Sequence, residues 1–211
     1  MTTLSRRDTI TAAATLGVSM AIGERRPWAA MSGVHFDFAR PFEGWETLTG
    51  KWAIEDVPGA SQGGRALVQH ATNNAFNVIV APGGPYTDVD ASVRFKPISG
   101  SEDASGGIVF RFSEGRYYVV RANALEDNFN LYFYDQGRRQ ITGVRVKAPA
   151  LGQWHKLRIT AEGDRIKGWL NDQLLIDHRD SRFTSGRVGL WTKADSITAF
   201  DDLAVSPMGG G

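Results

Sequence analysis

Polar and aromatic side chains recur on one side of the strands predicted between residues 107 and 193. In each strand they alternate with apolar residues such as Ile108 and Leu131, which we expect to face a core. Aromatic rings can stack on the apolar side of a pyranose, while guanidinium, amide and ammonium groups hydrogen-bond its hydroxyls. The residues with such side chains are Arg111, Tyr117, Arg121, Asn123, Tyr132, Trp191 and Lys193.

These residues form one saccharide-binding surface only if their strands are neighbours in a sheet. A concave sheet would then present the aromatic and polar side chains together, as a cleft for a sugar. The alternative is a half-solvated antiparallel sheet whose outer face carries Tyr and Arg for cross-strand packing alone. The order of the strands decides between the two, and both remain open at this point.

Three residues are candidates for the acid or base of glycoside cleavage. Asp88 and Asp90 project from one face of a predicted strand, about 7 Å apart by pleat geometry. Conventional glycoside hydrolysis uses two carboxylates about 5 Å apart in retaining enzymes and about 6.5–9.5 Å apart in inverting ones. His155, at a predicted strand start, could also move a proton. For all three, a solvated or structural role is the competing interpretation.

One turn could hold a calcium ion. Glu126, Asp127, Asn128 and Asn130 supply carboxylate and amide oxygens at close spacing, which calcium prefers. The turn lacks the glycine of the EF-hand pattern, and acidic turns are common without a metal. The four histidines are scattered without a zinc-binding spacing, and the chain has no cysteine. We therefore expect no cofactor, with calcium at this turn as the alternative.

Composition narrows the class of protein. The chain has 211 residues, with 24 Lys and Arg against 23 Asp and Glu. Phosphate binding needs a clustered basic face, so this balance argues against nucleic acid as a partner. Because there is no cysteine, thiol catalysis and disulfide exchange are excluded. A domain of this size buries enough surface to fold without a metal or a disulfide.

The first thirty residues are typical of an export signal. Arg6 and Arg7 precede an apolar stretch over residues 10–23 that is too short to span a bilayer of about 30 Å. The adjacent arginines indicate the twin-arginine translocation machinery as a partner. An ordinary amphipathic N-terminal helix is the alternative. We expect a periplasmic or secreted protein that is not integral to the membrane, with a domain over residues 31–206 and a disordered tail over 207–211.

Short apolar runs separated by Gly, Pro, Asn and Asp indicate an all-β protein, an antiparallel two-sheet β-sandwich. Asn171-Asp172 predicts a hairpin turn, and the shift of apolar parity in Phe200–Val205 predicts a bulge or burial of both faces. The predicted strands span residues 34–38, 51–57, 65–69, 75–80, 88–97, 107–112, 116–123, 128–134, 140–147, 154–161, 165–170, 174–178, 188–193 and 198–205.

The chain resembles the bacterial 3-keto-disaccharide hydrolase domain family over nearly all of residues 34–206. The resemblance rests on Phe42-x-Gly44-Trp45 with Gly50-x-Trp52, on the runs 88–95 and 106–111, on the Trp154 strand and on residues 186–205. It implies a concanavalin A-like, laminin-G-like jelly roll and an exported saccharide hydrolase or binding module. It also implies that Arg111 faces the sugar. Family members typically carry Glu-x-Gln on the next strand, whereas residues 118–123 contain no acid here.

The sequence thus predicts a saccharide-handling protein, foremost a 3-keto-disaccharide or glycoside hydrolase-like domain that acts through a concave sheet. A non-catalytic carbohydrate-binding module is the first alternative, and a structural or interaction protein of the cell envelope is the second. An acid and a base that converge on the cleft would favour the enzyme. A cleft lined only by aromatic rings and arginine would favour the binding module.

Overall fold

The computed structural model describes residues 33–41 and 43–209, which belong to one compact unit, Met31–Gly211. Within them, a short 3-10 helix at Gln62–Gly64 accompanies a series of strands. In chain order the strands are β1 (Val34–Phe36), β2 (Glu46–Thr47), β3 (Trp52–Asp56), β4 (Arg65–Gln69), β5 (Asn74–Val80), β6 (Val89–Ser99), β7 (Ser105–Ser113), β8 (Arg116–Asn123), β9 (Glu126–Tyr134), β10 (Arg138–Arg145), β11 (His155–Glu162), β12 (Arg165–Leu170), β13 (Gln173–Arg179), β14 (Arg187–Ala194) and β15 (Ile197–Pro207).

The strands form two antiparallel sheets. The eight-stranded sheet has the order β13-β12-β11-β6-β15-β4-β3, and β1 pairs with β15 as well. The seven-stranded sheet has the order β10-β9-β8-β7-β14-β5-β2. The predicted antiparallel two-sheet β-sandwich is therefore confirmed. In the second sheet, β7 to β10 follow one another along the chain, and β14 returns from a distant part of the sequence to lie beside β7.

The core lies between the sheets and consists of the inward-facing residues, which alternate along each strand with outward-facing ones. Along β6, for example, buried positions alternate with partly exposed ones from Val89 to Phe95. The two sheets approach each other closely where Gly106 of β7 lies against the ring of Phe95. Fully buried large side chains in this layer include Phe95, Phe110, Tyr118, Phe129, Leu131, Leu157 and Phe200.

Three local irregularities shape the strands. Asn171 and Asp172 have φ of 49° and 64° between β12 and β13, which confirms the predicted hairpin turn. The register of β15 against β6 shifts between Asp201 and Ala204, which confirms the predicted bulge. A further register shift lies in β7 between residues 110 and 113, where Arg111 has a φ of 51°. Simple alternation along β7 did not predict that shift.

The predicted and observed strand bounds differ mainly at their ends. β4, β8 and β12 have the predicted bounds, while β10 begins at Arg138, two residues before the predicted start. The short strand β2 was not predicted. Pro207, expected in the tail, ends β15. The expected export signal lies outside the described residues, and among those described no helix is long and apolar enough to cross a membrane.

Candidate functional site

Five aromatic rings pack on the outer face of the seven-stranded sheet. Tyr117 and Tyr134 stack with ring centroids 5.1 Å apart and planes at 3°. Phe76 stacks on Trp191 with ring centroids 5.6 Å apart, and Phe76 and Tyr134 pack edge to face. Trp191 is fully buried, and Tyr117 and Tyr132 are nearly so. We call these residues, Phe76, Tyr117, Tyr132, Tyr134 and Trp191, the aromatic floor.

The pairing of the strands places Arg121 in one row with the floor. Trp191 of β14 pairs with Gly107 of β7, and Gly107 pairs with Arg121 of β8. Asn130 of β9 continues the row beyond Arg121. Since glycine has no side chain, the middle strand puts no atoms between the indole and the guanidinium. Strand order thus brings together several of the residues that the sequence predicts for a binding surface.

Arg121 has unused hydrogen-bond donors although it is only 3% exposed. Its Nη2 donates to Glu126 Oε2 at 2.8 Å and to the Tyr132 hydroxyl at 3.3 Å. Its Nε and Nη1 are buried and have no hydrogen-bond partner. Burial would lower the pKa of Arg121, but Tyr132, Glu126 and Asp103 outweigh burial and raise it. The side chain is therefore a permanent cation with two donors directed at no protein acceptor.

Glu126 supplies an acid beside Arg121. Partial burial raises its pKa, but hydrogen bonds from Asn128 and Arg121 and the charge of Lys193 together lower it. Both of these hydrogen bonds go to Oε2, which leaves Oε1 free of the two donors. The side chain is 42% exposed, so the carboxylate reaches solvent. An acid that is missing from β8 is thus present at the start of the neighbouring strand β9.

Two amides and a phenol extend the same network. Asn130, which is 5% exposed, donates through Nδ2 to Asn128 Oδ1 at 3.0 Å and to the Tyr132 hydroxyl at 2.8 Å. Asn123 accepts the backbone N–H groups of Ala104 and Leu125 through Oδ1, while its Nδ2 is buried without a partner. The Asn123 amide is held by local backbone and keeps one donor unused.

Lys193 lies beside this network with two acids of its own. Its Nζ donates to Asp103 Oδ2 at 3.3 Å and lies 3.7 Å from Glu102 Oε1. Asp103 is fully buried and also accepts a hydrogen bond from Ser196 Oγ at 3.2 Å. Lys193 is therefore a paired cation, in contrast to the partly unused Arg121.

Arg138 is a residue of this face that the sequence analysis missed. Its guanidinium carbon lies 4.4 Å from the centre of the Tyr132 ring, 5.3 Å from Phe76 and 5.8 Å from Trp191. The predicted strand began at residue 140, which left Arg138 in a turn. Pairing with Tyr134 instead puts it on the side of the aromatic floor. Extending the alternation of β10 back by two residues would have found it.

Arg111 does not join the cluster, contrary to the expectation that it faces a sugar. Its guanidinium donates to three backbone carbonyls, those of Thr87, Gly163 and Phe183, at 2.7–3.3 Å. The side chain is 1% exposed and lies 3.7 Å from Asp88. The bulge in β7 is the cause, because it breaks the alternation that would have put Arg111 beside Tyr117. Arg111 joins loops at one end of the sandwich.

Asp88 and Asp90 also lie away from the aromatic floor. Asp88 Oδ1 accepts the backbone N–H of Gly163 at 2.8 Å. Asp90, on β6 of the eight-stranded sheet, binds the Arg158 guanidinium through both carboxylate oxygens at 2.9 and 2.6 Å. Asp88 thus contacts a turn and Arg111, and Asp90 contacts the neighbouring strand β11, so neither carboxylate joins the Arg121 cluster.

His155 has both ring nitrogens engaged. Nε2 lies 3.1 Å from the Ala150 carbonyl, which can only accept, so Nε2 carries the proton. Nδ1 then accepts from Asn171 Nδ2 at 3.2 Å, while Asn171 Oδ1 accepts the Lys156 backbone N–H. His155 borders a separate cavity of about 520 Å³ between the β10–β11 loop and the β12–β13 hairpin. No hydrogen bond of His155 goes to Arg121 or Glu126.

The oxygens of the expected calcium turn do not converge. Glu126, Asn128 and Asn130 lie on one face of β9, where they bond to Arg121 and to each other. Asp127 Oδ1 instead accepts the backbone N–H of Ala148. Over residues 33–41 and 43–209, no group of three or more His, Cys, Asp or Glu side chains is placed to hold a metal ion.

Residues 34–206 match the family model described as the 3-keto-alpha-glucoside-1,2-lyase-like domain. The chain belongs to this family. The match covers both sheets and confirms the resemblance predicted from the sequence. This 3-keto-alpha-glucoside-1,2-lyase-like domain is a jelly-roll sandwich of two antiparallel sheets.

Known proteins similar to this 3-keto-alpha-glucoside-1,2-lyase-like domain include a levanase of Bacillus subtilis, 26% identical over 157 residues. That stretch is 72% of this chain but 21% of the levanase, so the chain spans about a fifth of that relative. The carbohydrate-binding module CBM66 from Bacillus subtilis has a TM-score of 0.66 at 23% identity, over 77% of this chain and 95% of the module. A Bacillus licheniformis β-glucanase has a TM-score of 0.57 at 13% identity, over 85% of this chain and 99% of the glucanase. These two structures share the fold.

Proposed function

We propose that the outer face of the seven-stranded sheet binds a saccharide, with Arg121 as its principal polar contact. The observation that supports this is the pair of buried, unpartnered donors Nε and Nη1 on a side chain that is 3% exposed. Buried polar groups nearly always have partners, so unused donors call for a ligand. Sugar hydroxyl and carbonyl oxygens supply such acceptors, and the adjoining aromatic floor supplies an apolar surface for a ring.

We propose further that the bound saccharide is a 3-keto glycoside that the domain cleaves. A ketone at C3 acidifies the proton on C2, so one base and one donor group can start the reaction without a second carboxylate. Glu126 takes the C2 proton through Oε1, and the electron pair moves to the C3 oxygen, where Arg121 stabilises the negative charge. The carbonyl then re-forms, C1 and C2 become doubly bonded, and the C1 substituent leaves as an alkoxide. That alkoxide takes the proton back from Glu126, directly or through a water, which returns Glu126 to its ionised form. Addition of water across the new double bond would complete a hydrolysis.

Two observations support the assignment of the base to Glu126 and of the anion-stabilising group to Arg121. Glu126 and Arg121 are in direct contact at 2.8 Å, so a base and an anion-stabilising group are close together. The lowered pKa of Glu126 keeps it ionised at neutral pH, as a base must be. The family model, with its name, supports the keto-glycoside as substrate.

A non-catalytic carbohydrate-binding module is the second candidate. It is favoured by the contacts of Asp88, Asp90 and His155 away from the Arg121 cluster. Asp90 binds Arg158, Asp88 accepts the backbone N–H of Gly163, and His155 contacts the Asn171 amide. In this version Arg121 and the aromatic floor bind the sugar, and Glu126 only orients Arg121.

We propose that the protein is exported through the twin-arginine machinery and works in the periplasm or outside the cell. The support is Arg6-Arg7 ahead of the apolar stretch over residues 10–23. Replacement of both arginines by lysine is expected to keep the protein in the cytoplasm, as measured by fractionation and immunoblotting. Normal export of that variant would contradict the twin-arginine route.

The experiment that tests the binding site is calorimetry with oligosaccharides and their 3-keto forms, with products followed by NMR. Wild type is compared with Arg121→Gln, Glu126→Gln and the control Arg116→Gln, which changes an exposed arginine on the same strand β8. Loss of binding in Arg121→Gln alone supports the site. Cleavage that Glu126→Gln abolishes while binding remains supports the enzyme, and binding without cleavage supports the binding module. Equal binding by Arg121→Gln and wild type would overturn the proposed site.

A further inference from the structure

Arg138 differs from Arg121 and Lys193, the other two cations near the aromatic floor, because it has no acidic partner. Arg121 pairs with Glu126, and Lys193 pairs with Asp103 and Glu102. Across residues 33–41 and 43–209, no carboxylate lies within ion-pair distance of Arg138, although the chain forms such pairs at many other arginines. A half-buried guanidinium without a counter-ion is unusual, since burying a charge is costly unless it is paired.

Aromatic rings hold Arg138 in place instead of a carboxylate. Its guanidinium lies against Tyr132, Phe76 and Trp191, the nearest ring centre being 4.4 Å away. Cation–π contacts of this kind attract the guanidinium without using its N–H donors. One of those donors, Nη1, is buried and has no hydrogen-bond partner. The side chain is therefore positioned before any ligand arrives, with donors still available.

Arg138 and Arg121 approach the same ring. The Arg121 guanidinium carbon lies 5.7 Å from the centre of Tyr132, on which Arg138 also packs. Together the two guanidiniums carry three buried donors without partners, Nε and Nη1 of Arg121 and Nη1 of Arg138. Planar guanidinium donors match the two oxygens of a carboxylate better than they match single hydroxyls.

We propose that the saccharide bound at this face carries a carboxylate, as in a uronic acid, and that Arg138 is the residue that selects it. This inference rests on the proposed function, because it names the substrate class of the same site. The carboxylate neutralises the unpaired charge of Arg138 and accepts its free N–H groups. A neutral sugar leaves the charge of Arg138 uncompensated, so binding of the neutral sugar is weaker.

The test uses pairs of saccharides in which a carboxylate is replaced by a neutral methyl ester or hydroxymethyl group, with the full-length protein. The pairs are trigalacturonate with its methyl ester, cellobiouronic acid with cellobiose, and dimannuronate with its methyl ester. Calorimetry measures the dissociation constant of each for wild type, Arg138→Gln and the control Arg139→Gln. Arg139 is the exposed neighbour of Arg138 on β10, so the control makes the same change of charge outside the aromatic contacts.

We expect at least one acidic saccharide to bind wild type about tenfold tighter than its neutral partner, the gain typical of a charged hydrogen bond. Arg138→Gln should abolish that preference, and Arg139→Gln should retain it. Added salt should weaken acidic binding more than neutral binding. Equal or tighter binding of the neutral partners, or a preference that survives Arg138→Gln, overturns the inference.

The same measurements separate this inference from the proposed function. If neutral saccharides bind in an Arg121-dependent way and acidic ones gain nothing, the binding site stands and the acidic substrate class is wrong. If no saccharide of this panel binds while the 3-keto oligosaccharides of the first experiment do, the acidic substrate class is wrong and the site stands. If those fail as well, both proposals fail. A preference for acids that depends on Arg138 but not on Arg121 would support the selectivity and contradict the principal role of Arg121.

Discussion

At the scale of single residues, the buried arginines Arg111 and Arg121 differ in whether their N–H donors have hydrogen-bond acceptors. Arg111 gives its donors to three backbone carbonyls and is structural, whereas Arg121 keeps Nε and Nη1 unused and is a candidate for function. Both are nearly fully buried arginines on the neighbouring strands β7 and β8. The difference between them is therefore one of hydrogen-bond satisfaction, which depends on where the two side chains point.

We expect Arg111→Ala to destabilise the fold by about 3 kcal/mol or more. The substitution removes the donor of the part-buried hydrogen bonds to the carbonyls of Thr87, Gly163 and Phe183, and it removes the cation beside Asp88. Urea unfolding measures the loss. The control Arg116→Ala, at an exposed arginine, should change stability by less than about 0.5 kcal/mol. A stable Arg111→Ala protein that has lost only sugar binding would contradict the structural role.

A second expectation concerns the ionisation of Glu126. Its pKa in the folded protein should lie below the usual 4.5, because Asn128 and Arg121 bond to the charged form. A lowered pKa stabilises the fold at pH values above the unfolded-state pKa of about 4.3, and this contribution is lost as the pH falls through the folded-state value. NMR titration of the side-chain carboxyl carbon measures the pKa of Glu126. Arg121→Gln should raise the pKa, and an unchanged value in that variant would argue against the pair.

At the scale of elements, a loop supports the polar side of the site. The segment between β6 and β7 carries Asp103, which binds Lys193. Asp195, between β14 and β15, accepts the backbone N–H groups of Ser101, Glu102 and Asp103 and the Ser101 hydroxyl. The hydrogen bonds from Ser101 are the largest cause of the strongly lowered pKa of Asp195. One carboxylate thus fixes the loop that positions a buried acid.

We expect Asp195→Asn to cost about 1–3 kcal/mol of stability at neutral pH. Because the pKa of Asp195 is lowered on folding, its contribution is full above the unfolded-state pKa of about 3.9 and declines as the pH falls below that value. The difference between variant and wild type should therefore shrink in strong acid. Thermal unfolding between pH 2 and 7 measures it, with Asp135→Asn at an exposed position as control. A difference that does not depend on pH would contradict the loop-fixing role.

At the scale of the whole molecule, the close packing of two sheets holds the sandwich together. Gly106 of β7 lies so close to Phe95 of β6 that a Cβ placed there would be 2.6 Å from the ring. The seven-stranded sheet therefore carries its binding face on a layer that is pressed tightly against the other sheet. Rigid support of this kind keeps the floor and the arginines in place for a ligand.

We expect Gly106→Ala to destabilise the protein by about 1–3 kcal/mol, because the added methyl group must push the two sheets apart or distort the Phe95 ring. Chemical denaturation measures the change. Gly209→Ala is the matched control, since a Cβ at Gly209 meets no atom within 4 Å. Equal stability of the two variants would show that the sheets can separate at little cost.

The parts of the fold that the sequence predicts depend on interactions between residues close together in the chain. The bounds of β8 follow from side chains that alternate between two environments, and the turn at Asn171-Asp172 follows from residues that tolerate a positive φ. Both signals act over a few neighbouring residues, so the sequence alone carries them. The family resemblance, carried by glycines and aromatic residues along the strands, likewise pointed to the jelly roll.

The composition of the site was decided by tertiary structure. Arg121 and Trp191 are seventy residues apart in the chain and share a row only because β14 returns to pair with β7. The bulge that diverts Arg111 depends on how β7 meets its neighbours, and Arg138 joins the floor only because β10 pairs with β9. Pairing between distant strands depends on packing summed over a whole sheet. The sequence by itself therefore determined the strands, their turns and the fold class, while the tertiary structure decided which side chains meet.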